Sequence, residues 1–537
     1  MHAYTRRAVI GAGIGVAGGG LLASCSASSS ASPASSASSA PAASGNPGGP
    51  ASAVPPGYVS PDGEEVAAAE RGRARGAVRE IRLTATPSSL DLGGRTVRTW
   101  TYGDELPGWP IRVTAGDTLA VRLANNLPRS TTLHWHGIAL RNDMDGVPGV
   151  TQQPIRPGAS FDYRFAVPDP GTYWFHPHSG VQLDRGLYAP LIVEDPREPL
   201  EYDHEWIVML DDWVDGVDGS TPDAVLEELT GGRARMAGMD DSEGAEDPGG
   251  ADGDPGGRPA GPSRRLRGAR SRLLEGDPGD VAYPYYLVNG RTPEDPRAFR
   301  AKPGDRIRIR LVNVGGDTPF RVALGGHTMT VTHTDGYPVE HVTTDALLLG
   351  MAERYDVLVT AQDGVFPLVA LAEGKGRAAM ALLRTSDGAA APPPSVRPRE
   401  LDGRLLTADR LRATEDVRLT PRDPDRTIRL RMTGSMARYD WAINGKPYDP
   451  AQRHPVRAGE RVRVSFINGT AMWHPMHLHG HTFQLPGGGP RKDTTIVLPH
   501  HKVDVDFDAD NPGLWMVHCH NVYHSESGLM TIIGYRA

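Results

Sequence analysis

The sequence predicts an all-β protein of three β-sandwich domains in one chain. Three observations carry this. Gly (64) and Pro (47) are plentiful while aromatics are only 6%, which favours short strands and turns over long helices. A length of 537 residues exceeds one ordinary core. One pattern also occurs three times: "TAGDTLAVRLAN" (114–125), "KPGDRIRIRLVN" (302–313) and "RAGERVRVSFIN" (457–468). Each is a Gly-acid turn followed by strict alternation. Leu119, Val121 and Leu123 share one face, as do Ile307, Ile309 and Leu311, and Val462, Val464 and Phe466. The residues between them are mostly Arg, so each strand is expected to have a buried face and a wet one. Copies this far apart are separate domains rather than a short-period solenoid, and a sandwich is their natural closure.

Along the chain, residues 1–25 come first. "TRRAVIGAGIGVAGGGLLASC" sets Arg6-Arg7 before a short, glycine-rich apolar run, too short for a convincing membrane span. It resembles a twin-arginine export signal, and "LASC" resembles a bacterial lipobox with Cys25 as the acylated residue. Residues 26–75 follow as a flexible Ser/Ala/Pro/Gly tether. Domain one is placed at 76–197, domain two at 203–392 and domain three at 400–537, with "APPPSVRP" (391–398) as the second linker. Residues 231–279, rich in Gly, Asp, Pro and Arg, read as a disordered insertion in domain two. Lys plus Arg total 57 against 65 Asp plus Glu, a net charge of -8. No basic block exists to hold a phosphate backbone, which argues against nucleic acid.

The chemistry lies in histidine. Four clusters, "HWH" (His134, His136), "HPH" (His176, His178), "HPMHLH" (His474, His477, His479) and "HCHNVYH" (His518, His520, His524), hold ten of the 19 histidines. A lone histidine is usually structural. Each cluster, however, contains an i, i+2 pair, and on a strand that pair faces one way. Such pairs suit a polynuclear centre of a borderline metal. In addition, "PGTYWFHPHSGVQLDRGL" (170–187) aligns without gaps with "PGLWMVHCHNVYHSESGL" (512–529). Pro177 then matches Cys519 and Gln182 matches His524, so domain one has the pair but not the extra ligands. If 518–520 is extended, Cys519 points away from His518 and His520. The thiolate serves one metal while its neighbours serve another behind the strand. A thiolate with two imidazoles is the ligand set of a blue-copper centre, and His474 and His524 are the available partners. Zinc is the alternative metal, but an electron path would serve no purpose there.

With "HWHG", "HPHSG", "HPMHLHGH" and "HCHNVYH" in this order, the chain resembles the three-domain multicopper oxidases of the laccase and copper-resistance-oxidase group. The resemblance implies three cupredoxin-like, Greek-key β-sandwich domains and four copper ions. It implies Cys519, His474 and His524 as type 1 ligands, His134 and His477 as type 2 ligands, and His136, His176, His178, His479, His518 and His520 as type 3 ligands. Cys519, His518 and His520 would form the electron path. Asp145, in "NDMDGVPG", matches an acid that the family keeps near the cluster for proton delivery; its bland reading is a turn residue. Glu526 is a second, weaker proton candidate. Domain two has only isolated histidines (His327, His333, His341) and is expected to be a copper-free spacer. Family members often carry an axial Met ten residues after the Cys, where this chain has Leu529, followed by Met530. Alternation turns Met530 away, so a three-ligand, higher-potential type 1 site is expected.

The expected reaction is one-electron oxidation of a reducing substrate, entering near His474 or His524, coupled to reduction of O2 to water. Scattered methionines tilt the substrate towards phenols and aromatic amines. A metallo-oxidase acting on Cu(I), Fe(II) or Mn(II) is the alternative, and a non-catalytic copper-binding surface protein is the third. A monomer is expected, touching the membrane only through a lipid anchor on Cys25.

Overall fold

The computed structural model describes residues 56–73, 76–231, 261–388 and 390–537. The predicted leader, Cys25 included, lies outside the described residues. No helix among those described is long and apolar enough to cross a membrane.

The repeated pattern is built the same way three times. Thr118–Asn125, Arg306–Asn313 and Arg461–Asn468 are each a strand with a parallel neighbour from earlier in the chain and an antiparallel one from later. The parallel neighbours are Val78–Asp91, His204–Trp213 and Arg426–Thr433. The strands form six sheets, two from each third of the chain: four and four strands, then six and six, then six and five. The predicted apolar faces, Leu119 to Leu123, Ile307 to Leu311 and Val462 to Phe466, are all buried.

The expected wet face fails in the second copy. Arg308 and Arg310 are buried, and both pair with Asp356. Arg310 also reaches Glu205 at 2.7 Å and donates to Thr172 Oγ1 of the first sandwich at 2.7 Å. Alternation fixes which residues share a face, but not whether that face meets water or another domain.

Three predicted boundaries shift. Residues 56–73, expected to belong to the tether, are ordered against the third sandwich. Val59 N–H donates to Tyr535 O at 2.9 Å, and the helix Glu64–Arg73 buries Val66. Arg73 then joins Ala139 O (2.9 Å) to Asn511 Oδ1 (3.1 Å). Two apolar side chains anchor a segment whose average composition reads as coil. Residues 261–279 are likewise ordered, in place of disordered insertion: Leu274 and Pro278 are buried, and Asp277 bridges to Met472. Finally, Leu405–Leu406 pairs with Ala346–Leu349 and extends a sheet of the second sandwich. The first strand of the third sandwich starts at Arg426.

The Glu205 network makes acid stability measurable. Burial pushes the Glu205 carboxyl up, but Arg310 and Arg112 outweigh it and hold it at about 2, against an ordinary 4.5. A depressed carboxyl contributes stability in full above its unfolded value and loses it as pH falls towards the folded one. A difference of this size corresponds to ~3 kcal/mol. Glu205→Gln is therefore expected to cost about that much at neutral pH. It should also flatten the fall of Tm between pH 4.5 and 2, as read by thermal unfolding across that range.

Candidate metal centres

Short strands bring the histidines inward. His134–His136 pairs antiparallel with Gly171–His176, setting His134 opposite His176. His474–Leu478 pairs antiparallel with Leu514–Cys519, setting His477 opposite His518 and Met476 opposite Cys519. The two strand pairs come from the first and third sandwiches, and their histidine faces meet. All ten clustered histidines and Cys519 are buried.

The eight histidines at the junction sort into groups whose ligand atoms lie within 4.8 Å of one another. These are His136, His176 and His520; His178, His479 and His518; and His134 and His477 together with His136. The strand containing Cys519 behaves as its alternation requires. His518 and His520 enter the junction, while Cys519 emerges on the other side. There its Sγ lies 3.6 Å from both His474 Nδ1 and His524 Nδ1.

Hydrogen bonds fix which nitrogen six of the eight rings keep free. His134 Nδ1 donates to Asp145 O (3.0 Å) and Oδ1 (3.1 Å). His479 Nδ1 donates to the other Asp145 oxygen at 2.9 Å. His176 Nδ1 and His518 Nδ1 donate to Pro177 O and Cys519 O, each at 2.9 Å. His477 Nδ1 donates to Asp493 O at 2.9 Å, whereas His136 uses Nε2, 3.0 Å from Asp493 Oδ1. An imidazole that donates from one nitrogen presents a lone pair on the other. His134 Nε2, His136 Nδ1, His176 Nε2, His178 Nε2, His477 Nε2 and both ring nitrogens of His520 are buried with no protein partner. His479 Nε2 and His518 Nε2 face each other at 3.1 Å with their N–H groups turned outward. Converging lone pairs of this kind fit bound cations and little else.

At the Cys519 site, Thr470 Oγ1 lies 2.9 Å from His474 Nε2, and Asp280 Oδ2 lies 2.8 Å from His524 Nε2. Both rings thus turn Nδ1 towards the sulfur. Asn521 caps the short helix Val522–Glu526 and sets its first turn, which holds His524. Leu529 is buried in the main core, and its carbonyl accepts from Cys519 N–H at 3.1 Å. Met530 packs in a different cluster, with Val147, Val150 and Met516. Gln182, the counterpart of His524, spends its amide on Thr131 Oγ1 and Ser130 O. His327 and His333 bond locally within the second sandwich, and His341 is exposed. Glu526 lies half-buried at the end of its helix.

The sequence reading did not select Asp493, Asp280, Thr470 or Arg354. An acid beside a distant histidine leaves no trace in local spacing. Asp145, expected to deliver protons, has both carboxylate oxygens engaged by imidazoles, Oδ1 by His134 and Oδ2 by His479.

Sequence models of the multicopper oxidase family match residues 84–198, 269–388 and 421–535. The multicopper oxidase MmcO of Mycobacterium tuberculosis is 48% identical over 541 residues, covering 99% of this chain and 97% of the relative. The chain belongs to the multicopper oxidase family.

A copper resistance protein A homolog of Pseudomonas syringae pv. tomato is 30% identical, over 84% of this chain and 91% of the relative. Among solved structures, the laccase of Botrytis aclada aligns with TM-score 0.66 at 25% identity, covering 86% and 88% of the two chains. Fet3p shares the fold with TM-score 0.68 at 23% identity, over 85% of this chain and 90% of its own. As a multicopper oxidase, this cupredoxin-fold protein uses copper and couples oxidation of a reductant to reduction of O2. The converging lone pairs fit that metal.

The pKa directions predict how copper loads. Burial pushes the His136, His176, His178, His479, His518 and His520 rings well below 6.5. They stay neutral where ordinary imidazoles are mostly protonated. Burial also pushes the Cys519 thiol well up, so its proton leaves only when metal arrives. The junction is therefore expected to load copper as fully at about pH 5.5 as at about pH 7.5, although exposed imidazoles would be nine-tenths charged at the lower value. The Cys519 site, which must release a proton, should load less readily there. Metal analysis after dialysis at the two values checks this.

Proposed function

We propose that the protein is an exported, lipid-anchored multicopper oxidase that takes electrons from a metal ion, Cu(I) foremost, and passes them to O2. Four copper ions complete the reading. One is held by Cys519, His474 and His524, and one by His134 and His477. Two are held by the triplets His136–His176–His520 and His178–His479–His518. The observation that carries this is the convergence of partnerless ring nitrogens on one side of the Cys519 strand and the Sγ–Nδ1–Nδ1 set on the other. Bound copper would supply the redox chemistry: one-electron oxidation at the mononuclear site and four-electron reduction of O2 to two waters at the trinuclear one.

The chain does the rest. The Cys519 backbone links the thiolate covalently to His518 and His520, so one residue joins the two sites. Asp145 and Asp493 orient four of the eight imidazoles. Burial excludes water from both sites. Leu529, which stands where family members often carry a methionine, has no donor atom, and a site without that ligand would favour the reduced metal and a high potential.

The substrate reading rests on burial of the entry point. His474 and His524 are both 0% exposed. Trp441, 4.4 Å from His524 between ring centroids, and Tyr439, whose hydroxyl donates to Asp280 Oδ2 at 2.6 Å, lie against them. A phenol needs a groove that bares an imidazole edge. A metal ion needs no bared ring edge if a carboxylate relays the electron, and Asp280, itself buried, touches His524 while its Oδ1 has no protein partner. The copper resistance relative points the same way. This favours the metal-ion alternative over the phenolic substrates to which the methionine distribution tilts.

Oxygen uptake by copper-loaded protein is expected to be at least about tenfold faster with Cu(I) than with a simple phenol, and Asp280→Asn should slow the Cu(I) reaction selectively. A faster phenol reaction would restore the laccase reading, and no uptake with either would leave a copper-binding protein. Redox titration tests the axial position: Leu529→Met should lower the mononuclear potential, and Met530→Ala should leave it unchanged. The anchor rests on the leader sequence alone. Cys25→Ala should move the protein from the membrane fraction to the supernatant.

A further inference from the structure

The geometry points to Arg354, from the second sandwich, as a positioning residue for the histidine cluster shared by the first and third. The inference rests on the copper reading above, in which His136 and His477 are ligands.

Arg354 is fully buried in the strand Arg354–Thr360. Its guanidinium is held from several sides. Nε donates to Thr172 O of the first sandwich at 3.0 Å, and Nη1 donates to Ala352 O at 3.2 Å. The outer edge meets the Asp493 carboxylate of the third sandwich at two points: Nη1 donates to Oδ1 at 2.8 Å, and Nη2 lies 2.7 Å from Oδ2. That same Oδ1 lies 3.0 Å from His136 Nε2 and 3.5 Å from His477 Nδ1. A guanidinium–carboxylate–imidazole chain therefore runs from the second sandwich into the junction. It ends on two rings whose other nitrogens, His136 Nδ1 and His477 Nε2, have no protein partner.

The bland account is a buried ion pair that joins domains. Two features exceed it. First, Gly137, directly after the first histidine pair, has φ +85°. A Cβ there would sit 2.5 Å from Arg354 Nη2 and 2.6 Å from Asp493 Oδ2. The "HWHG" glycine thus leaves space for this pair against the ligand strand. Second, the neighbouring Asp335 fixes the same segment through its main chain. It accepts from Arg354 N (2.9 Å), Asp493 N (3.2 Å) and Thr494 N (3.3 Å). The second sandwich thereby sets both the path of Lys492–Thr494 and the direction of the Asp493 carboxylate. Removing the guanidinium leaves a buried carboxylate without its charge partner, and the two rings lose their fixed orientation.

The experiment compares copper-loaded wild type, Arg354→Ala and Arg354→Lys. It measures copper per chain, the EPR signal of the copper assigned to His134 and His477, the blue absorption of the Cys519 site, and kcat and KM for O2 consumption. Arg354→Ala should keep the blue absorption, shift or lose that EPR signal, and lower kcat by roughly 10–100-fold. Arg354→Lys, which keeps the charge but not the two-point contact, should recover part of both. If Arg354→Ala does not fold, the isosteric Asp493→Asn should show the same signature. Wild-type EPR and kcat in whichever variant folds, even with a lowered Tm, would overturn the proposal and leave only a structural ion pair. Wild-type protein that binds a single copper would instead defeat the copper reading itself, whatever Arg354 does.

Discussion

Buried imidazole nitrogens without protein partners are the constraint on which this structure turns. Each desolvated, unsatisfied polar atom costs about 1–3 kcal/mol. Six rings at one junction carry such atoms, and a seventh and eighth face each other. No sandwich gains stability from that arrangement alone. It persists because the surrounding framework is overdetermined: strands paired on both sides, outward ring nitrogens bound to Asp145, Asp493 and main-chain oxygens, and closure by two domains. The framework holds the lone pairs where a cation repays the desolvation.

The period of a β-strand then does the functional work at one position. Alternation sends His518 and His520 into the junction and Cys519 out of it, so adjacent residues join different ligand clusters. The same alternation puts the neighbours Leu529 and Met530 in different buried clusters. An i, i+1 switch of face is available to strands but not to helices, and it makes the link between the sites as short as the chain allows.

The second sandwich has no clustered histidines, yet it is coupled to both sites. Arg354 and Asp335 grip the Asp493 segment at the junction. On the other side, the segment running to Asp280 crosses onto the third sandwich and places a carboxylate against His524. Buried ion pairs are weak sources of net stability but strict about geometry. Here their value lies in orienting imidazoles across domain boundaries.

How much of this was legible in the sequence follows from the range of each cause. Alternation, the three Gly-acid turns and the paired histidines are local, so the all-β repeat, the eleven clustered residues and the opposed faces at Cys519 could be read from spacing. Residues 56–73 and 261–279 were misread because composition averages over a window, while order there depends on Val59, Val66 and Leu274 finding distant surfaces. Arg308 and Arg310 looked solvent-facing because alternation does not say what lies opposite. Asp493 meets His136 across 357 positions of chain. Sequence by itself determined which side chains share a face and hence which chemistry was available. Tertiary structure alone decided which carboxylate meets which imidazole, and that His474 and His524 are fully buried, because both depend on how three separately folded sandwiches dock.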